Sequence, residues 1–350
     1  KKIVVFDDDP TGTQTVHDVP VLTEHSVEAL SREMADDFPI FCILVNSRGL
    51  PEDRARALNA EIAKNLVQAS RRTGKDFVLV SRSDSTLRGH YPAEIDSIAE
   101  AADLDYDGLI FTPFFLEGGR YTINNIHYVA EGDWLTPAGQ TEFAQDPAFS
   151  FTSSYIPGYI EEKTGASIKA DDVIMVALDN VRTGGPARVS EILSQVTNRT
   201  VVGVNAVSMR DIEVFVLGLL KTEGKRFIFR TAASLLRALL GQEGKPLLTA
   251  SEMGADGEGG GLTIVGSYVP RTTGQLNHLL ANTAVTGIEV DVRSLLTETL
   301  KTREIRRIQE QISDLLSDGR DVVAYTSREL VTGESAEDSL TIGNIVSQAL

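Results

Sequence analysis

Short apolar runs alternate along the chain with longer stretches in which apolar positions recur every three or four residues. The short runs Ile3–Phe6, Val19–Leu22, Ile40–Val45, Phe77–Val80, Leu109–Phe111, Val173–Ala177, Val201–Val204 and Arg226–Phe229 predict buried strands. The longer stretches predict helices over Ser26–Met34, Pro51–Arg72, Pro92–Ala102, Ala187–Val196, Met209–Leu220 and Ala232–Leu240. Pro51-Glu52-Asp53 is a strong helix start, with proline in the first turn and acids at the positive end of the dipole. Strands that alternate with helices in this way imply a mostly parallel sheet with helices on both faces.

The pattern breaks at 241–261, a glycine-rich linker, and then resumes. Strands are expected at Leu262–Val265, Ile288–Val292 and Val322–Tyr325, with helices near Thr272–Asn282, Thr302–Leu316 and Ser339–Leu350. The expected architecture is therefore α/β with two domains, 1–240 and 262–350. Each is a mostly parallel sheet flanked by helices, with a ligand cleft between them. The second unit stops on a helix with no stop signal, which predicts further chain beyond Leu350. The stretch Glu117–Ala170 is the least regular. Its length suits a lid, an oligomer contact such as a homodimer's, or a binding loop.

Composition narrows the partners. The 350 residues are 42% hydrophobic and 24% charged, as in ordinary globular chains, but the net charge is −17. Such a surface argues against nucleic acid or an anionic membrane as partner, and it makes any local cluster of arginines informative. The single cysteine, Cys42, excludes an internal disulfide and fits a reducing, cytoplasmic setting. No apolar stretch is long enough to span a membrane.

In an open parallel sheet, ligands bind beyond the carboxyl ends of the strands. After the first strand come Asp7-Asp8-Asp9-Pro10-Thr11-Gly12, three adjacent carboxylates that need a metal or a cationic partner to stay ionised together. After Val80 come Ser81-Arg82-Ser83-Asp84-Ser85-Thr86-Leu87-Arg88-Gly89-His90. There arginine offers a fork for a carboxylate, and Asp84 and Ser85 suit sugar hydroxyls. Lesser signals are Asn46-Ser47-Arg48-Gly49, Thr112-Pro113, Asp179-Asn180 and Arg230-Thr231. In the second unit, Gly266-Ser267 and Thr326-Ser327-Arg328 follow strands and suit a phosphate. A P-loop, zinc spacing and a nucleophile elbow are all absent from the sequence.

Asp8-Asp9-Pro10-Thr11-Gly12, Ser83-Asp84-Ser85-Thr86-Leu87-Arg88-Gly89, Phe229-Arg230-Thr231-Ala232-Ala233-Ser234 and Val265-Gly266-Ser267 together resemble the four-carbon acid sugar kinase family. The resemblance runs the length of the chain in the right order. It implies an N-terminal domain that binds a tetronate-like acid sugar and a C-terminal domain that binds ATP with Mg2+. By motif it places Asp8, Asp9, Asp84 and Arg88 at the sugar site and Ser267 at the ATP site. With the strand-end loops, the expected site has Asp8 and Asp9 as catalytic residues, Thr11, Arg82, Asp84, Ser85, Arg88 and Arg230 as substrate contacts, and Gly266, Ser267, Thr326 and Ser327 facing the nucleotide. No protein metal ligand is expected, because the magnesium rides on the ATP phosphates. The family's Gly-Gly-x-Thr nucleotide loop is not reached before Leu350, so the chain as written is expected to bind ATP poorly. Two other readings stay open. Asp7 and Asp9 also fit a haloacid-dehalogenase phosphatase, and a sugar-acid binding protein without transfer would keep the same loops.

Overall fold

The computed structural model describes residues 1–254 and 259–350, and the chain divides into two compact units, Lys1–Lys245 and Pro246–Leu350. Residues 255–258, part of the expected linker, lie outside the described residues.

The first unit carries strands β1 (Lys2–Asp7), β2 (Val21–Leu22), β3 (Ile40–Leu44), β4 (Phe77–Arg82), β5 (Gly108–Thr112), β6 (Arg120–Ile123), β7 (Ile126–Glu131), β8 (Trp134–Pro137), β9 (Ile174–Val176), β10 (Thr200–Val204) and β11 (Phe227–Thr231). Its helices are α1 (Val27–Ala35), α2 (Glu52–Thr73), α3 (Ala93–Ala101), α4 (Ile156–Lys163), α5 (Leu178–Arg182), α6 (Gly185–Ser194), α7 (Met209–Leu220) and α8 (Ser234–Leu240). Eight strands form one sheet in the order β2-β3-β1-β4-β11-β5-β10-β9. Every pairing in it is parallel.

Side chains alternate across this sheet and fill two cores, as a sheet covered on both faces requires. Val4, Phe6, Phe41, Ile43 and Leu79 pack with Leu30, Ile62, Leu66 and Ile98 of α1, α2 and α3. Val5, Cys42, Val80, Ile110 and Val202 pack with Val189, Leu193, Phe215 and Leu236 of α6, α7 and α8. The backbone polar groups are spent on the parallel ladder, so the central strands are free to be apolar on both sides.

Three expectations are corrected. The strand expected over Val19–Leu22 is only Val21–Leu22. Pro20 has no N–H to give a ladder, and its carbonyl accepts from Cys42 N at 2.9 Å. The strand expected to reach Val292 ends at Val290, where Asp291 caps a short helix, its carboxylate accepting from Arg293 N at 3.0 Å. The stretch Glu117–Ala170 is not irregular: β6, β7 and β8 form an antiparallel sheet, and α4 follows. Its hairpin signal lay in Asn124-Asn125, both with positive φ (51° and 67°), as a two-residue hairpin turn requires.

This insertion is fixed to the large sheet. Thr122 and Ala206 exchange backbone hydrogen bonds at 3.0 and 3.1 Å. The buried Asn205, just beyond β10, accepts from Asn125 N at 2.7 Å and donates to Asn125 Oδ1 at 2.8 Å and to Val176 O at 3.0 Å.

The second unit carries β12 (Leu262–Val265), β13 (Thr286–Val290) and β14 (Val322–Thr326) in the parallel order β12-β14-β13. Its helices are α9 (Pro270–Asn282), α10 (Val292–Leu295), α11 (Glu298–Ser317) and α12 (Ala336–Ala349). Its core is small, with Ile288, Val290, Leu295, Ile308 and Val322 at its centre. No helix among the described residues is long and apolar enough to cross a membrane.

Truncating a buried, fully bonded amide leaves its partners unsatisfied. Asn205→Ala is expected to lower unfolding free energy by about 2 kcal/mol, read by urea denaturation of the protein and its variant.

Candidate active site

The three aspartates meet their cation because of strand register. Asp7 ends β1 and lies opposite Arg82, which ends β4. The Arg82 side chain is only 4% exposed, and its Nη1 lies 3.4 Å from Asp7 Oδ1, 3.4 Å from Asp8 Oδ1 and 3.1 Å from Asp9 Oδ1. The turn that follows is built around Gly12. A Cβ there would fall 1.6 Å from Asp7 Oδ2, so no other residue fits without moving the carboxylate. Thr11 N donates to Asp9 Oδ1 at 2.7 Å, which makes Thr11 part of that turn and leaves it on the exposed side.

A second guanidinium comes from the 3-10 turn Ser47–Gly49 after β3. Arg48 pairs with Asp9, its nearest partner, and its Nη1 lies 2.9 Å from Asp84 Oδ1 without the alignment of a hydrogen bond. Asp84 also accepts from Arg88 Nε at 2.9 Å and Arg88 Nη2 at 3.3 Å. The third nitrogen of Arg88, Nη1, lies 3.5 Å from Asp146 Oδ2 in the insertion. Arg230 is buried between the Tyr91 and Phe111 rings, 5.1 and 5.0 Å from their centroids, and its Nη2 donates to Arg88 O at 3.2 Å.

The sequence signals of the first unit thus converge, with changes. Arg88 was expected to hold a substrate carboxylate; each of its three guanidinium nitrogens already faces Asp84 or Asp146. Among the arginines of this cluster, the buried nitrogens without an aligned hydrogen-bond acceptor are Arg48 Nη1, Arg82 Nε and Arg230 Nε. Ser85 enters through its backbone: its carbonyl accepts from His127 Nε2 at 2.7 Å. Asp179-Asn180 belong to α5, where Asn180 Oδ1 accepts from Ala177 N at 2.9 Å as a cap.

Burial sets the protonation of the cluster. It pushes the Asp7 carboxyl up to about 6 against the pull of Arg82 and Arg48. It pushes Asp8 up to about 7; Arg48 and Arg82 oppose the shift, and Glu94, itself buried, adds to it. Burial also works against Asp84, but Arg88 and Arg48 hold its carboxyl well below the usual carboxylate range. One set of acids therefore contains a fixed anion and two groups poised to exchange a proton near neutrality.

Asp7, Asp8 and Asp9 each bring a carboxylate oxygen within 4.8 Å of the others, close enough to share a metal ion. The donor set does not favour one. Arg82 Nη1 is already within 3.4 Å of all three carboxylates, and Arg48 lies on Asp9, so guanidinium supplies the charge that a cation would bring.

In the second unit, the carboxyl ends of β12 and β14 gather all four expected nucleotide residues. Thr326 Oγ1 donates to Gly266 O at 3.1 Å, Arg328 Nη1 donates to Ser267 O at 2.7 Å, and Ser327 Oγ accepts from Val292 N at 3.4 Å.

Two family models match the chain. A family model described as a sugar-binding N-terminal domain matches residues 3–239, and one described as a nucleotide-binding C-terminal domain matches 262–350. The chain belongs to the four-carbon acid sugar kinase family. A D-erythronate kinase of Heliobacterium modesticaldum is 22% identical over 294 residues, 82% of this chain. The chain spans 60% of the length of that relative. Two solved structures share the fold. A Salmonella typhimurium LT2 protein superposes with a TM-score of 0.58 at 15% identity, over 99% of this chain and 79% of its own. A domain of unknown function from Bordetella bronchiseptica, solved with bound citrate as a domain-swapped dimer, gives 0.52 at 18% identity, over 100% and 78%.

Within this family member, sequence reasoning gave Arg48 too little weight and did not find Asp146 or Glu94. Arg48 was visible as a strand-end arginine. Asp146 had no local signal, since it reaches Arg88 only through the path of the insertion, 58 residues away in sequence.

Because Asp7 and Asp8 titrate higher in the folded chain than when unfolded, the folded state binds more protons between about pH 4 and 7. Their stabilising contribution is complete below pH 4 and is lost as pH rises through 6 to 7. Asp8→Asn is expected to flatten this fall, a difference on the order of a few kcal/mol, in urea denaturation series from pH 5 to 8.

Proposed function

We propose that the protein transfers the γ-phosphoryl group of ATP to a hydroxyl of a four-carbon acid sugar of the threonate, erythronate or 3-oxo-tetronate type. The observation that carries this reading is the cluster of the buried Arg82 and Arg230 with the half-buried Arg48 and Arg88, set against Asp7, Asp8, Asp9 and Asp84 at the carboxyl ends of parallel strands and against Asp146 of the insertion. In a chain of net charge −17, four guanidinium groups at one site mark a place for an anion. The relative named D-erythronate kinase and the sugar- and nucleotide-binding family models support the same class.

The substrate carboxylate takes the unspent donors of Arg48, Arg82 and Arg230, while Arg88 keeps Asp84 ionised and oriented toward a substrate hydroxyl. Asp8, with its carboxyl near 7, has the acidity suited to accept the proton of the attacking hydroxyl, and Asp9 orients it. Transfer itself rests on positioning and charge neutralisation. The nucleotide belongs to the second unit, at Gly266, Ser267, Thr326 and Ser327. Mg2+ bound to the ATP phosphates neutralises their charge. The phosphatase reading gains nothing from the geometry, since its nucleophile would be Asp7, whose carboxylate is packed against Gly12 and faces Arg82.

The test is an ATP-consumption screen of the full-length protein against a panel of four-carbon acids. ATP use is expected only when an acid sugar is present. Asp84→Asn and Arg88→Ala should each lower kcat/KM by about 100-fold or more with an unchanged circular dichroism spectrum. Turnover that is independent of the acid, or near-normal rates in both variants, defeats the proposal.

A further inference from the structure

The loop that carries Asp84 and Arg88 is not a conformation the chain would keep by itself. Leu87 has a φ of 70° and Gly89 a φ of 112°. A bulky residue in the left-handed region persists only where its surroundings over-determine it. Those surroundings are three side chains from three elements, each taking one carbonyl of the loop. His127 Nε2 of β7 bonds Ser85 O at 2.7 Å, Tyr159 Oη of α4 bonds Leu87 O at 2.6 Å, and Arg230 Nη2 of β11 bonds Arg88 O at 3.2 Å. His127 and Tyr159 both belong to the insertion, and both are fully buried.

The chemistry of His127 is fixed. A carbonyl can only accept, so Nε2 carries the proton, and Nδ1 is left to accept from Thr122 Oγ1 at 3.0 Å. Burial lowers its pKa to about 4, which keeps the ring neutral and the tautomer constant at ordinary pH. The loop runs alongside the acid cluster: Asp84 N donates to Asp8 Oδ2 at 3.1 Å, and a Cβ placed on Gly89 would lie 3.6 Å from Asp8 Oδ2 and 3.9 Å from Arg230 Nη2, in ordinary contact. A shift of the loop therefore moves Asp84 and Arg88 against Asp8.

We propose that His127 and Tyr159 are positioning residues of the acid-sugar site: the insertion grips the 83–89 loop by the carbonyls of Ser85 and Leu87 and so sets where Asp84 and Arg88 stand. The insertion is thereby part of the binding site, with Asp146 reaching Arg88 from the same segment. This rests on the reading of the site as one for acid sugars.

The test uses the full-length protein and the variants Tyr159→Phe, His127→Ala and His127→Gln. Tyr159→Phe deletes one hydroxyl and His127→Gln keeps a donor at the Nε2 position, so both are expected to fold even if His127→Ala does not. Hydrogen exchange of the 83–89 amides and steady-state kinetics are read together. Tyr159→Phe should speed exchange in that loop and lower kcat/KM for the acid sugar by about 10–100-fold, leaving KM for ATP unmoved. His127→Gln should lose less than His127→Ala on both measures. Unchanged exchange and unchanged acid-sugar kinetics in Tyr159→Phe overturn the proposal, as does an equal loss in KM for ATP. A wild-type protein that phosphorylates no four-carbon acid refutes the kinase reading instead, and the exchange measurement then still decides whether the grip exists.

Discussion

Arg82 under three aspartates is the contact on which the candidate site depends. Carboxylates at adjacent positions repel, and burying them is costly unless a cation is buried with them. Arg82 ends a central strand in register with the strand that delivers Asp7, so the sheet itself brings the countercharge within 3.4 Å of all three. The pairing explains why a strand as apolar as β1 can run directly into Asp7-Asp8-Asp9. It also leaves the acids unequal. Asp9, shared by Arg82 and Arg48, is the most fully paired of the three, whereas burial keeps Asp7 and Asp8 near their titration points.

From that pair the charge spreads outward in a chain of contacts. Arg48 links Asp9 to Asp84, Arg88 links Asp84 to Asp146, and Arg230 holds the backbone of Arg88 from behind. Each arginine has more than one partner. Removing Arg82 would leave Asp7, and removing Arg88 would leave Asp146, without a guanidinium partner among the described residues, whereas Asp9 and Asp84 are each held by two arginines.

The insertion changes character in this light. Asn205 and the Thr122–Ala206 pair fasten it to the end of β10, and His127 and Tyr159 then pass that rigidity to the 83–89 loop. A loop carrying charged groups is thus held by elements distant in sequence as well as by its own turn bonds, which run from Thr86, Leu87 and Arg88 to Asp84.

Much of this was legible in the residues. The alternation of apolar runs and amphipathic stretches gave the parallel α/β class, because burial on both faces demands apolar strands. Asp8-Asp9-Pro10-Thr11-Gly12 and Ser83 to Gly89 marked the two loops, because their charge and glycine content make no sense in a core. The hairpins of the insertion were legible in principle from Asn124-Asn125 but are masked by their polar length. What the sequence could not decide was which arginine neutralises which acid. Arg88 was expected to meet a substrate carboxylate and faces Asp84 and Asp146 with all three nitrogens, and Asp146 carried no local mark at all. Pairing of charges is set by strand register and by where a long insertion returns, and both are properties of the folded chain, since Coulomb energy depends on distance in space and local sequence fixes only distance along the chain.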